Sequence, residues 1–264
     1  HGNFPTIIFE HGYGVTAGSY QYLILDLVSH GYVVISPAHP YIADTVMFSD
    51  GSKSFIKAER DAELFDTVFQ DAEFLLSKID DIAKQVESAD TSKLGIIGHS
   101  LGAATSIKLA RNSPLIKAGI SLDPPINHIT YEYDGDKKVE SKLDDKISLD
   151  NGSNLGKPFL HVFAEKSMCD SSTLTLSKNN YKAVIKGTEH NSFADHAVLK
   201  EEIGIFRGKG WDLGAGDILS SDYREELNLL FRSFCDNYLK EADVDLSGLS
   251  SDNIILESSP PLDF

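Results

Sequence analysis

Gly98-His99-Ser100-Leu101-Gly102 is the stretch of this chain best suited to chemistry. A serine hydroxyl is a weak nucleophile at neutral pH, useful only when a turn presents it and a base takes its proton. Here an apolar run, Leu94 to Ile97, precedes the serine, and a run that reads as a helix, Ala103 to Ala110, follows it. That sequence of features predicts a nucleophile elbow, in which a strained turn lifts the hydroxyl off a sheet and small residues avoid collision with neighbouring backbone. Ser100 is therefore the candidate nucleophile. The new helix aims its first amides at the same spot, which makes the Leu101 N–H a candidate oxyanion donor. His99 lies on the wrong side of the turn to act as base and is read as a packing or hydrogen-bonding residue.

A base, and a group to orient it, must come from elsewhere in the chain. Behind such an elbow the order is serine, acid, histidine, with the histidine in a loop after the last strand. Of 9 histidines, only His190 and His196 follow the strand-like run Tyr181 to Ile185, and His190 comes directly after the turn-like Lys186-Gly187-Thr188-Glu189. His190 is the candidate base, and His196 is read as a helix-start or surface residue. Two strand ends can supply the acid. Asp123 ends Ala118 to Leu122 and is followed by Pro124-Pro125, whose fixed dihedrals hold the exit rigid. Glu165 and Asp170 follow Phe159 to Phe163, where Ala164-Glu165-Lys166-Ser167 lacks an aspartate at the strand end. Asp123 is preferred, with Glu165 and Asp170 as alternatives.

The second oxyanion donor is expected from the loop after the first strand, Thr6 to Phe9, where Glu10-His11-Gly12-Tyr13-Gly14 offers the Tyr13 N–H between two glycines. His11 is read as structural, packing under that loop. His39, Tyr41 and Phe193 lie in loops at strand ends and are the candidates for lining a substrate site. The set asks for neither a metal nor a cofactor.

Short apolar runs alternate with helical patterns: Thr6–Phe9, a helix from about Ser19 to Ser29, Tyr32–Ile35, a long helix, Leu94–Ile97, a helix, Ala118–Leu122, Phe159–Phe163 and Tyr181–Ile185. This is the signature of an α/β chain with a mostly parallel central sheet and helices on both faces; with the elbow and the order serine, acid, histidine it sets the expectation of an α/β-hydrolase fold. The long helix is read over Lys57 to Val86, with Leu64, Val68, Ala72, Leu75, Leu76 and Ile79 on one stripe and Glu59, Asp66 and Glu73 outward. Near the end, Tyr223, Leu227, Leu230, Phe231, Phe234 and Tyr238 repeat the amphipathic spacing behind Ser221 as N-cap. Residues 136–154 read as a surface insertion or lid, Ser49 to Ser54 as a shorter loop of the same kind, and 241–264 as an irregular tail.

A chain of 264 residues, 41% hydrophobic, can bury one large core, so a single domain over 1–264 is expected. Forty acidic against 24 basic residues give a net charge of −16, which argues against nucleic acid and strong anionic-membrane binding. Cys169 and Cys235 are too few for a disulfide framework and read as unpaired thiols. The chain begins at His1 and enters a strand within a few residues, so an upstream segment is expected to be missing, as in a secreted or exported protein.

These residues resemble the plasma-type (group VII) platelet-activating-factor acetylhydrolases, serine esterases of the α/β-hydrolase fold. The resemblance runs from about Phe4 to Leu239. It rests on Pro5 to Gly14, on the stretch ending Ser29-His30-Gly31-Tyr32, on Ile96 to Gly102, on Leu122-Asp123, and on Lys186 to Asp195. In the last, a glycine, the histidine and then Phe193-Ala194-Asp195 are similar to the family's histidine loop. The resemblance implies Ser100, Asp123 and His190 as triad and Tyr13 and Leu101 as oxyanion donors. It also implies short or oxidised sn-2 acyl chains of phospholipids as substrate. The competing readings are a generic small-ester carboxylesterase or lipase, and a non-hydrolytic ligand-binding protein on the same scaffold.

Overall fold

Neighbouring residues Ile7 and Ile8, and again Ile96 and Ile97, are all essentially buried. Successive strand side chains point to opposite faces, so both faces of the sheet must be covered. The computed structural model describes residues 3–57, 62–125, 129–134, 137–142, 155–167, 174, 176–202, 215–216 and 218–259.

In chain order, β1 (Phe4–Glu10) leads through a 3-10 turn to α1 (Gln21–Ser29) and β2 (Val33–Ile35). A hairpin, β3 (Thr45–Met47) and β4 (Lys53–Phe55), precedes α2 (Ala62–Ser77), α3 (Ile79–Ala83), β5 (Ala89–His99), α4 (Leu101–Asn112) and β6 (Ile116–Leu122). A second hairpin, β7 (Ile129–Asp134) and β8 (Lys137–Lys142), is followed by β9 (Phe159–Lys166), β10 (Asn180–Glu189), α5 (His196–Glu202), α6 (Ser220–Leu239) and β11 (Ile254–Ser258). Seven strands form the main sheet in the order β11-β10-β9-β6-β5-β1-β2. Its pairings are parallel except for β11 on β10. The architecture is the α/β-hydrolase fold.

On one face Ile7, Phe9, Ile97 and Ile120 pack with Leu23 and Leu27 of α1 and with Leu227, Phe231 and Phe234 of α6. On the other, Ile8, Ile96 and Phe163 pack with Ala72 and Leu76 of α2 and Ala104 and Ile107 of α4. The parallel order brings the carboxyl ends of β1, β5, β6 and β10 to one edge of the sheet, where this class of fold holds ligands. Among the described residues no helix is long and apolar enough to cross a membrane.

Four expectations change. The helix read over Lys57 to Val86 is α2 and α3, interrupted at Lys78. Ser77 Oγ donates to Phe74 O at 2.7 Å, a local bond that competes with helix continuation, while the Lys57 N–H is held by Tyr41 O. The cap of α6 is not Ser221: Leu219 precedes the helix, and Glu201 accepts from Ser220 Oγ, Ser221 N and Ser221 Oγ at 2.6–3.0 Å. A carboxylate donated by α5 thus fills the anionic position that a helix start favours. Ser49 to Ser54 is the tip of the first hairpin rather than a plain loop, with Ser54 already in β4. The tail expected to be irregular carries β11, because the apolar Ile254-Ile255-Leu256 finds unpaired backbone along β10.

Of the segment 136–154, residues 137–142 form β8, and 136 and 143–154 lie outside the described residues, as do Glu59, Cys169 and Asp170. Cys235 is free and buried.

Candidate active site

Ser100 stands between β5 and α4 with φ 55° and ψ −118°, a conformation that a residue with a side chain adopts only under strain. The turn is fixed from both sides. The Ser100 N–H donates to Leu122 O at 2.9 Å, and Ser100 O accepts from Ala103 N and Ala104 N at 2.9 and 3.1 Å. Its flanking glycines are required by close approach. A Cβ on Gly102 would lie 2.5 Å from the Glu10 carbonyl carbon and 2.7 Å from His11 O, and one on Gly98 would strike the Gly102 backbone and Ser106 Oγ. The end of β1 therefore runs directly against the start of α4, and a Cβ on Gly12 would sit 3.4 Å from Ser100 Cβ.

Asp123 follows β6 with φ 44° and is completely buried. Its N–H donates to Val162 O at 2.7 Å. One carboxylate oxygen accepts from Ala164 N at 3.2 Å, and the other lies 2.6 Å from His190 Nδ1. The carboxylate can only accept, so His190 carries a hydrogen on Nδ1, and it is the Nε2 side of the neutral ring that is left to accept a proton. The His190 side chain is 19% exposed. Of the alternative acids, Glu165 takes the Gly187 N–H at 2.8 Å and braces the turn before His190 instead; Asp170 lies outside the described residues.

The loop that carries His190 is pinned at several points. Glu189 and Ser192 form a reciprocal capping box, Tyr223 Oη donates to Ser192 O at 2.8 Å, and Asp195 accepts from Gln21 N at 2.6 Å. Asp195 thereby caps α1 from a distance and docks the loop on it. Burial holds the Asp195 carboxyl above the usual carboxylate range, against the amide bonds that favour its charge. Asp195 lies five residues after His190, and its capping role depends on α1, which is remote in sequence.

Tyr13 and Leu101 meet in one small cluster with Ile42 and Val68. The Tyr13 hydroxyl donates to Lys57 O, Gly14 takes φ 81° and bonds Ile42 O at 2.9 Å, and the Gly12 N–H donates to Tyr20 Oη at 3.2 Å. Leu101 opens α4, where an amide has no acceptor one turn back.

The three expected lining residues separate. Tyr41 is 48% exposed at φ 68°, with the Lys57 ammonium 4.6 Å above its ring. Phe193 is 6% exposed: the 3-10 turn His190–Phe193 carries it into the core cluster of Leu122, Tyr223 and Leu227, with which it lines a small cavity beneath the His190 loop. His39 is buried as well. It is 1% exposed, with Nε2 2.8 Å from Glu10 Oε2 and Nδ1 3.3 Å from Asp71 Oδ2. Burial opposes its charge, but the bonds to Glu10 and then Asp71 outweigh it and hold His39 above the usual histidine range. The His39 backbone N–H donates to His11 Nε2 at 3.2 Å, and His11 Nδ1 in turn donates to Gly12 O at 2.8 Å. His11 is thus a neutral brace under the loop, pushed down to about 4 mainly by burial. Sequence reasoning missed this Glu10–His39–Asp71 network; its one signal is Asp71, a carboxylate set within the apolar stripe of Val68, Ala72 and Leu75.

The structure of a ferulic acid esterase from Streptomyces cinnamoneus superposes with a TM-score of 0.75 at 18% identity, covering 96% of this chain and 73% of that one. It shares the fold. The platelet-activating factor acetylhydrolase of Cavia porcellus is 26% identical over 238 residues, covering 76% of this chain and 50% of its own length. Cutinase 1 of Thermobifida cellulosilytica is 29% identical over 125 residues, covering 47% of this chain and 41% of its own. The chain spans about half the length of the acetylhydrolase relatives it matches. Residues 1–125 match the chlorophyllase family model. Over residues 67–210, more than half of its length, the chain matches the model of platelet-activating factor acetylhydrolase, isoform II, and it belongs to that family.

Proposed function

We propose that this chain is a serine ester hydrolase that works through an acyl-Ser100 intermediate. His190 Nε2 takes the Ser100 proton as Oγ attacks the ester carbonyl, and the same proton passes to the leaving alkoxide when the C–O bond breaks. Water then repeats the sequence on the acyl-enzyme and restores the serine. Asp123 holds the imidazole in one tautomer and stabilises its charged form. The amides of Tyr13 and Leu101 receive the developing oxyanion, each contributing about 3 kcal/mol to lowering the barrier. The observation that carries this reading is the 2.6 Å Asp123–His190 bond at the sheet edge where the strained Ser100 turn also lies.

The substrate class is an ester with a short acyl group, with the sn-2 ester of a phospholipid as the specific candidate, in keeping with the acetylhydrolase family. The test is hydrolysis of p-nitrophenyl acetate, butyrate and decanoate, followed by a short-chain phosphatidylcholine, each beside Ser100→Ala. Turnover that falls with chain length and vanishes in Ser100→Ala is expected. Activity undiminished in Ser100→Ala, or a wild type that neither turns over nor labels with a fluorophosphonate, overturns the proposal.

A further inference from the structure

One polar thread runs from the oxyanion loop to the base loop beneath Ser100. His99 Nε2 lies 3.0 Å from His190 O, and a carbonyl only accepts, so that nitrogen carries the hydrogen. His99 Nδ1 is then a bare lone pair, and the Tyr20 hydroxyl 2.7 Å away must donate to it. Tyr20 Oη is left to accept the Gly12 N–H at 3.2 Å. The direction of every bond is set by the two backbone groups at the ends.

We propose that Tyr20 and His99 are positioning residues whose hydrogen-bond thread fixes the His190 loop against the Gly12–Tyr13 loop, holding base and oxyanion donor at a set spacing across Ser100.

The inference rests on the ester-hydrolase reading. Tyr20 and His99 are 0% and 2% exposed, so neither is placed to meet substrate. They act through His190 and Gly12. Burial, then the neighbouring His190, holds His99 well below the usual histidine range. A neutral ring is what the thread demands: protonated on both nitrogens, His99 would turn a donor toward the donating Tyr20. It would also place a positive charge in a ring 4.7 Å from the His190 ring, where the reaction itself needs a positive charge to form. The His99 ring is further clamped by Tyr20 at 5.6 Å and Phe193 at 6.0 Å, so it has little room to swing and remake the bonds.

The test compares His99→Leu, His99→Gln and Tyr20→Phe with the wild type. With p-nitrophenyl acetate, His99→Leu is expected to lose about 100-fold in kcat with KM within about twofold, since a misplacement near 1 Å has that effect. His99→Gln keeps a side-chain N–H for His190 O and is expected to recover to within about fivefold of wild type, while Tyr20→Phe falls about tenfold. The low-field proton resonance of His190 Nδ1–H, recorded without substrate, reads the same geometry. It should be sharp in wild type and His99→Gln and broadened in His99→Leu. Tyr20→Phe removes a single oxygen, so it carries the test if His99→Leu does not fold. Wild-type kcat in Tyr20→Phe or His99→Leu, no difference between Gln and Leu at position 99, or an unchanged or absent resonance overturns the inference. If wild type hydrolyses no ester yet the resonance responds as described, the ester-hydrolase reading fails and the thread stands.

Discussion

Gly102→Ala sets two known effects against each other, and the structure decides between them. Inside a helix, alanine is favoured over glycine by about 1 kcal/mol. At this position the added carbon would lie 2.5 Å from the Glu10 carbonyl carbon and 2.7 Å from His11 O. Non-bonded carbons rest near 3.5 Å or beyond, so the end of β1 and the start of α4 must part by about 1 Å. The obstacle is backbone on both sides, which cannot swing aside as a side chain can. Overpacking of this kind costs about 1–3 kcal/mol and more when backbone must move, so it outweighs the propensity gain. The parting also carries the Gly12–Tyr13 loop away from Ser100. A displacement near 1 Å at such a site lowers turnover by roughly 100-fold. We therefore expect Gly102→Ala to lose about 100-fold in kcat and about 3–6 °C in Tm. The control is Gly248→Ala, where the same carbon meets nothing within 4 Å. Thermal unfolding and p-nitrophenyl acetate kinetics on both variants provide the measurement. A Gly102→Ala protein as stable and as active as Gly248→Ala would refute the argument that contact between β1 and α4 shapes this site.

Asp123→Asn keeps the shape of the buried side chain but removes the charge facing His190, and kcat should fall by about 10³–10⁴ with KM little changed; a loss under tenfold would reassign the acid. Stability should peak near neutral pH. Below the ordinary histidine value of 6.5, the unfolded chain takes up protons that buried His11, His99 and His161 resist, His11 to about 4 and His161 to about 3. Each of these lost protonations contributes about 1.4 kcal/mol of destabilisation per pH unit until its folded value is reached. His39, raised by Glu10 and Asp71, acts in the opposite direction: its contribution is complete below 6.5 and is lost as pH rises through its folded value. Urea unfolding across this range would show a flat profile if these histidines were solvated. Glu201→Ala removes the carboxylate shared by Ser220 and Ser221, which hold its carboxyl down to about 2, and should lower stability by about 1 kcal/mol without changing kcat. A drop in kcat at unchanged stability would contradict a purely capping role.

The elbow was legible because its requirements are local: an apolar strand, two residues without side chains and a helix that must start at once. The central strands were equally readable, since burial on both faces leaves an unbroken apolar run in the sequence. The meeting of Asp123 with His190 follows from their places at the carboxyl ends of β6 and β10, one strand apart. What the sequence concealed depends on partners far along the chain. His39 looked like a loop histidine, but its carboxylates are 29 and 32 positions away, on β1 and α2. Phe193 read as a residue of a strand-end loop, but the 3-10 turn at His190 carries it into the core beside Leu122 and Tyr223. The cap of α6 is nineteen positions before Ser220, beyond any capping pattern that reads only the flanking residues.

The antiparallel strand β11 has a consequence for the life of the chain rather than for its chemistry. β10 is 10 residues long, and its outer row of amides and carbonyls from Tyr181 to Ile185 is taken by β11. The opposite border of the sheet, β2, has 3 residues and offers little to a passing strand. Until residues 254–258 have been synthesised, the growing molecule displays a long ready-made template for other extended chains, and self-recognition competes with completion. β11 therefore covers this row against aggregation, and cutting it away would show first as clumping of newly made protein.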